Sequence, residues 1–268
     1  MTQRLAWLTD IHLEVLSDSD FDTFMGTIRA ENPTGVLISG DIATASTISD
    51  YLKRMLTALD MPIYFVLGNH DFYGSDFDAV HAEIRTLHNT HDKLIWMPEA
   101  GIVELNASTA IVGHGGWSDG EYGDFMASSI MLNDHIQITS LITTDKAERF
   151  RKVQALGRKF AESFKPHLVE TVQNFEQVYV LTHSPPFIES CWYGGETPDT
   201  DNEYLPHFTC KAIGDLLLTV ADANPNHKIT VLCGHTHGGG EAHIRPNLHV
   251  ITGPAEYNQP VVQKVFEV

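Results

Sequence analysis

Ile63-Tyr64-Phe65-Val66-Leu67-Gly68-Asn69-His70-Asp71 begins as an unbroken apolar run and ends, behind a glycine, in side chains able to bind a metal or move a proton. A short run that is apolar at every position and bounded by a turn signal reads as a strand buried on both faces. Glycine at the boundary suits a tight turn where backbone comes close to a site. The same reading repeats along the chain. Leu5–Leu8 runs into Thr9-Asp10-Ile11-His12, and Val36–Ile38 into Ser39-Gly40-Asp41. Val178–Leu181 runs into Thr182-His183-Ser184-Pro185, and Thr230–Cys233 into Gly234-His235-Thr236-His237. Five strands thus each deliver Asp, Asn or His at the carboxyl end, the edge at which open α/β sheets bind ligands. Taken singly, Asp10 reads equally well as a helix cap and Asp41 as a turn residue. Their order and shared context set them apart.

Between the early strands lie helical patterns at about 20–31, 48–59 and 76–88, each long enough to cross over between parallel strands. Residues 145–174 form a longer amphipathic stretch, with a break expected near Pro166, because proline lacks the donor a helix interior uses. Ala110–Val112 adds a further apolar strand, and strand-like segments occur near 93–97, 102–105, 241–245, 248–252 and 261–267. The sheet content is therefore large and mixed. No repeat and no linker rich in Pro, Gly or Ser divides the chain, so one domain is expected over 1–268, with an irregular active-site loop at 184–207.

A net charge of −18 repels a nucleic-acid backbone, and no Lys/Arg cluster reverses it locally, which counts against a nuclease of long nucleic acid. No apolar run approaches the roughly 20 residues that cross a bilayer, and Met1-Thr2-Gln3-Arg4 lacks the layout of a signal peptide. Three cysteines, Cys191, Cys210 and Cys233, are odd in number and far apart, which favours a reducing compartment. The expectation is a cytoplasmic protein without a membrane partner.

The polar residues at the strand ends define a metal chemistry. Oxygen donors (Asp10, Asp41, Asn69) mix with imidazoles (His12, His183, His235, His237) and no thiolate takes part. Such a set suits Mn, Fe, Zn, Ni or Co better than Ca or a structural zinc. Seven side chains are too many for one catalytic ion and fit two divalent transition-metal ions sharing a carboxylate, a pairing that serves in-line displacement at phosphorus.

The series Asp10-x-His12, Gly40-Asp41, Gly68-Asn69-His70-Asp71, His183 and Gly234-His235-x-His237 resembles the calcineurin-like metallophosphoesterase superfamily, small bacterial phosphoesterases and cyclic-nucleotide phosphodiesterase relatives in particular. The resemblance implies an α/β fold of mixed sheets, a four-layer αββα sandwich. It implies one metal on Asp10, His12, Asp41 and His237, and another on Asp41, Asn69, His183 and His235. Asp41 would bridge them, and a bridging hydroxide would attack phosphorus. Two divalent ions, two aspartates and a hydroxide sum to +1, which attracts a phosphate ester even on an acidic protein. His70 matches the family's catalytic histidine, a proton donor or electrostatic stabiliser. Asp71 is implied as the partner that orients its ring, with a helix N-cap as the other reading.

The implied activity is hydrolysis of a small phosphomonoester or phosphodiester. A nuclease is one alternative, and a catalytically silent scaffold of the same fold is another, which the complete ligand set argues against. The loop His114-Gly115-Gly116-Trp117-Ser118-Asp119 follows a strand end and reads either as part of the site or as a glycine-rich turn. Trp192, Tyr193 and Tyr204 in the 184–207 loop would either stack on a flat substrate group or pack the loop onto the body. His207 reads as a surface residue more readily than as a substrate contact.

Overall fold

A computed structural model describes residues 2–268. Its first sheet has the order β11-β1-β2-β3-β4, built from β1 (Arg4–Leu8), β2 (Gly35–Ser39), β3 (Ile63–Val66), β4 (Leu94–Trp96) and β11 (Lys264–Glu267). Strands β1 to β4 pair in parallel, and β11 closes the edge antiparallel to β1. The second sheet has the order β5-β6-β7-β8-β10-β9. Its strands are β5 (Val103–Asn106), β6 (Thr109–Gly113), β7 (Gln177–Leu181), β8 (Lys228–Cys233), β9 (Gly240–Arg245) and β10 (Leu248–Thr252). Strands β6, β7, β8 and β10 are parallel, with β5 and β9 as antiparallel edges.

The continuous apolar runs are explained by what covers each face. Side chains of a strand alternate between faces, so Ala6 and Leu8 enter one core while Leu5 and Trp7 enter another. Val36, Ile38, Ile63 and Phe65 join the helices Asp18–Ala30, Ile48–Leu59 and Phe77–Thr90 outside the first sheet. Leu37 and Val66 meet Ile111, Leu181 and Leu232 between the two sheets. Val178, Val180, Ile229 and Val231 pack against the helices Lys146–Asn174 and Lys211–Ala223. Three apolar interfaces separate four layers, helix, sheet, sheet and helix, which is the αββα sandwich expected.

Helix starts follow local chemistry: the side chains of Ser17, Asp76 and Asp145 accept hydrogen bonds from backbone amides of the first turn. The break expected at Pro166 does not occur. One helix runs from Lys146 to Asn174 through the proline. Phe160, Phe164, Leu168 and Val172 anchor it on both sides of that position, and Pro166 itself faces solvent. The three thiols are buried and unpaired. Among the described residues, no helix is long and apolar enough to cross a membrane.

Candidate metal centre

The polar strand ends of both sheets converge on one edge of the sandwich. Asp10, His12, Asp41 and His237 bring one ligand atom each to within 4.8 Å of one another, and Asp41, His183 and His235 do the same. Asp41 belongs to both groups. Its Oδ1 lies 3.3 Å from His183 Nε2 and its Oδ2 4.0 Å from His12 Nε2, so its two oxygens are directed to opposite sides. Asn69 completes the second group, its Oδ1 lying 2.9 Å from both His183 Nε2 and His235 Nδ1.

The backbone is bent to aim these side chains. Among the described residues, eight non-glycine positions have positive φ, and Asp10, His12, Asp41, His235 and His237 are five of them. A non-glycine residue held there stores strain of about 1–3 kcal/mol, and such strain persists only where packing over-determines it. The glycines of the motifs make room for the bends. A Cβ on Gly234 would overlap the Asp10 carboxylate, and one on Gly68 would overlap Asp41 Oδ1.

Hydrogen bonds fix which atom of each ring is presented. His183 Nδ1 donates to the Ser39 carbonyl at 3.0 Å, which turns Nε2 toward Asp41 and Asn69. His235 Nε2 lies 3.2 Å from the His207 carbonyl and 3.3 Å from Ser118 Oγ, which frees Nδ1. Asn69 Nδ2 donates to Asp134 Oδ1 at 2.8 Å and lies 3.0 Å from the Tyr73 hydroxyl, which also donates to Asp134, at 2.7 Å. That network turns Asn69 Oδ1 toward the two imidazoles. Asp10 accepts Thr9 Oγ1 at 2.6 Å and the His235 amide at 3.0 Å.

The charges ask for cations. Asp10 and Asp41 are buried, and the partners beside them are imidazoles rather than lysine or arginine. Burial opposes ionisation of Asp41, yet His183, His70 and His12 hold it well below the usual carboxylate range. Burial likewise disfavours the charged His183 ring, but Asp41 overrides it and pushes the imidazole up to about 10. Burial pushes His235 and His237 down. His12 Nε2 and His237 Nε2 face each other at 3.1 Å. Converging ring nitrogens beside buried carboxylates that have no lysine or arginine partner fit divalent ions of the N/O-preferring class.

His70 sits beside the first group, its ring 4.6 Å from that of His12 and 4.3 Å from that of Tyr73. Its amide donates to Asp41 Oδ1 at 2.9 Å. Asp71 stands elsewhere than the resemblance implies. Its Oδ1 accepts the amides of Ile42 (2.8 Å) and Ala43 (3.0 Å), and its Oδ2 that of Gly68 (2.7 Å). Both oxygens are committed to main chain, so Asp71 ties the Asp41 loop to the Asn69 loop instead of holding the His70 ring. It is not the N-cap of the short turn His70–Phe72, a position taken by Asn69.

Sequence reading missed Tyr73, Asp134 and Tyr257. Tyr257 lies beyond the last strand-end motif, 45% exposed, with its ring 4.5 Å from that of His12 and 5.1 Å from that of His237. Burial, with Asp41 and Asp10 nearby, pushes its phenol up to about 12, so it stays a hydrogen-bond donor. The 114–119 loop divides. Ser118 reaches His235, whereas His114 lines a separate cavity of about 480 Å³ with His81 and His167. His207 is buried, not at the surface, and bonds Ser128 Oγ at 3.0 Å. Trp192 lies against Gly240 of β9. Tyr193, Tyr204 and Phe208 form a cluster that ends on the His235 ring.

The family model described as calcineurin-like phosphoesterase matches residues 3–239. A transmembrane protein with metallophosphoesterase domain from Danio rerio is 32% identical over 122 residues, which cover 39% of this chain and 28% of that protein. The chain thus spans well under half the length of that relative. A phosphopantetheinyl hydrolase from Mycobacterium tuberculosis superposes with a TM-score of 0.70 at 12% identity, over 98% of this chain and 95% of that one. A dimetal phosphatase from Danio rerio gives 0.57 at 12% identity, over 98% and 88%. At such identities the likeness is one of fold.

Proposed function

The chain belongs to the calcineurin-like phosphoesterase family, and from that premise we propose that it hydrolyses a small phosphomonoester or phosphodiester with two divalent metal ions. Asp10, His12, Asp41 and His237 would hold one ion, and Asp41, Asn69, His183 and His235 the other. The observation that carries this reading is Asp41, whose two oxygens point into two separate groups of ligand atoms. Such an ion pair supplies an activated water at neutral pH and charge stabilisation for the attacking and leaving oxygens.

The chain's own groups supply the rest. The hydrogen bonds from His183 to Ser39 and from His235 to His207 keep each ring in one tautomer and one orientation, so little reorganisation remains for the reaction. His70, half-buried beside the first group, carries no ligand duty in this scheme. Protonated, it stabilises a phosphoryl oxygen or gives its proton to the leaving oxygen. The Tyr257 hydroxyl donates at the open rim, where a substrate substituent passes. Net charge of −18 favours a substrate with one phosphate over a long polyanion, each further phosphate meeting repulsion.

Hydrolysis of p-nitrophenyl phosphate and of its bis-ester, with manganese or zinc added to chelator-stripped protein, tests the proposal. Metal-dependent turnover of one or both esters is expected. No turnover with any of Mn, Fe, Zn, Ni or Co would overturn it and leave the silent scaffold as the better reading.

A further inference from the structure

A second group of metal-ligating side chains lies away from the strand-end motifs, where β9 forms the outer edge of the second sheet. We propose that Glu241, His243 and His249 form a peripheral binding site for a divalent transition metal of the zinc class. Strand register creates it. His249 of β10 is the cross-strand partner of His243 on β9, and Glu241 lies two residues before His243, hence on the same face. One ligand atom from each of the three comes within 4.8 Å of the others. The two imidazoles stack with centroids 4.2 Å apart and planes 3° from parallel.

The hydrogen bonding is what singles this group out from an ordinary surface pair. His249 Nε2 is 3.1 Å from Glu241 Oε2. Yet that nitrogen is shielded from solvent and makes no aligned hydrogen bond. A carboxylate oxygen at contact distance from a ring nitrogen, out of line for a good hydrogen bond, is what a cation between them resolves. Lys264 Nζ approaches the other carboxylate oxygen, Oε1, at 3.7 Å, and its side chain is half exposed, so it withdraws into water when a cation arrives. Two imidazoles and one carboxylate suit Zn, Ni, Cu or Co and not Mg or Ca. Three protein ligands leave a position for water. Bound there, an ion would pin an edge strand that otherwise hangs on one neighbour.

Equilibrium dialysis of the full chain at low, chelator-buffered free zinc, followed by elemental analysis, tests the site. The wild type should retain about one zinc more than the His243→Asn/His249→Gln variant, whatever number the main centre holds. Glu241→Gln, which preserves side-chain shape, should weaken the extra zinc by about tenfold or more, and it stands as the test if the double variant folds poorly. Hydrolytic activity should be the same in all three proteins. Equal zinc content in the wild type and the double variant, or undiminished affinity in Glu241→Gln, would overturn the proposal.

Discussion

The two halves of the candidate centre differ in how they are backed. Around Asn69, His183 and His235 each donor atom has a buried partner behind it: the Ser39 carbonyl, the His207 carbonyl, and the Asp134–Tyr73 pair. Around Asp10, His12 and His237 the support is thinner. His12 Nδ1 makes no hydrogen bond, with Glu14 Oε1 at 3.8 Å, and the His237 side chain is 26% exposed beneath Tyr257. Rings locked by outer partners bind metal more tightly than rings left to search. On the proposed two-ion reading, the better-backed half would retain its ion more firmly, and the half under His237 and Tyr257 would be the more open to solvent and substrate.

The largest effect belongs to the residue the halves share. Asp41→Ala should remove both ions and lower turnover by about 10³-fold or more, several kcal/mol in the barrier. Elemental analysis showing one ion retained in the well-backed half would break the symmetry of that bridge. His70→Ala should leave metal content near wild type while kcat falls by roughly 10²–10⁴-fold. The loss should shrink for leaving groups as acidic as p-nitrophenol, and an equal loss for alkyl leaving groups would remove the proton-donor role.

Asp134→Ala sharpens the comparison directly. Without it Asn69 loses the acceptor that sets its amide, and metal affinity in the second group should fall about 10–100-fold, while the first group keeps its own. Competition titrations that show both ions weakened alike would contradict the division into two halves.

How far the site could be read from sequence follows from how each residue gets there. The seven donors lie just past apolar strands, so local pattern locates them, and alternate burial of those strands yields the four layers. Asp134 stands 65 positions from Asn69, at the start of the short helix Asp134–Gln137, and Tyr257 comes from the segment after β10. Neither has a local motif, because folding alone brings them in. Asp71 misleads by adjacency. It follows His70, but the turn His70–Phe72 points its carboxylate back at the amides of Gly68, Ile42 and Ala43. Pro166 misleads through propensity, which the anchoring of Phe160 to Val172 overrides.

Smaller effects come from buried histidines outside the ligand set. Burial pushes His135 and His207 down to about 4, and His114 down to about 3. The unfolded chain therefore takes up protons below about pH 6.5 that the folded chain refuses until pH reaches about 4 or lower. The sign is fixed for these three rings: they leave stability unchanged above pH 6.5 and lower it as pH drops toward 4. Thermal melts should show Tm declining over that window, and His207→Gln should flatten part of the slope. A flat Tm down to pH 4 would mean these rings are not held neutral. Tyr257→Ala should have the mildest consequence, a rise in KM of a few-fold, on the order of 1 kcal/mol for one hydrogen bond, at unchanged metal content. A fall in kcat with unchanged KM would move Tyr257 from the rim into the chemistry.

The central claim, two ions astride one carboxylate, is tested most directly by anomalous diffraction from crystals of metal-loaded protein at the absorption edge of the added metal. The account predicts two peaks at the main centre, about 3.5–4 Å apart, one against His12 and His237 and the other against Asn69, His183 and His235, with Asp41 between them. A single peak at full loading, or a pair that Asp41 does not touch, would contradict it.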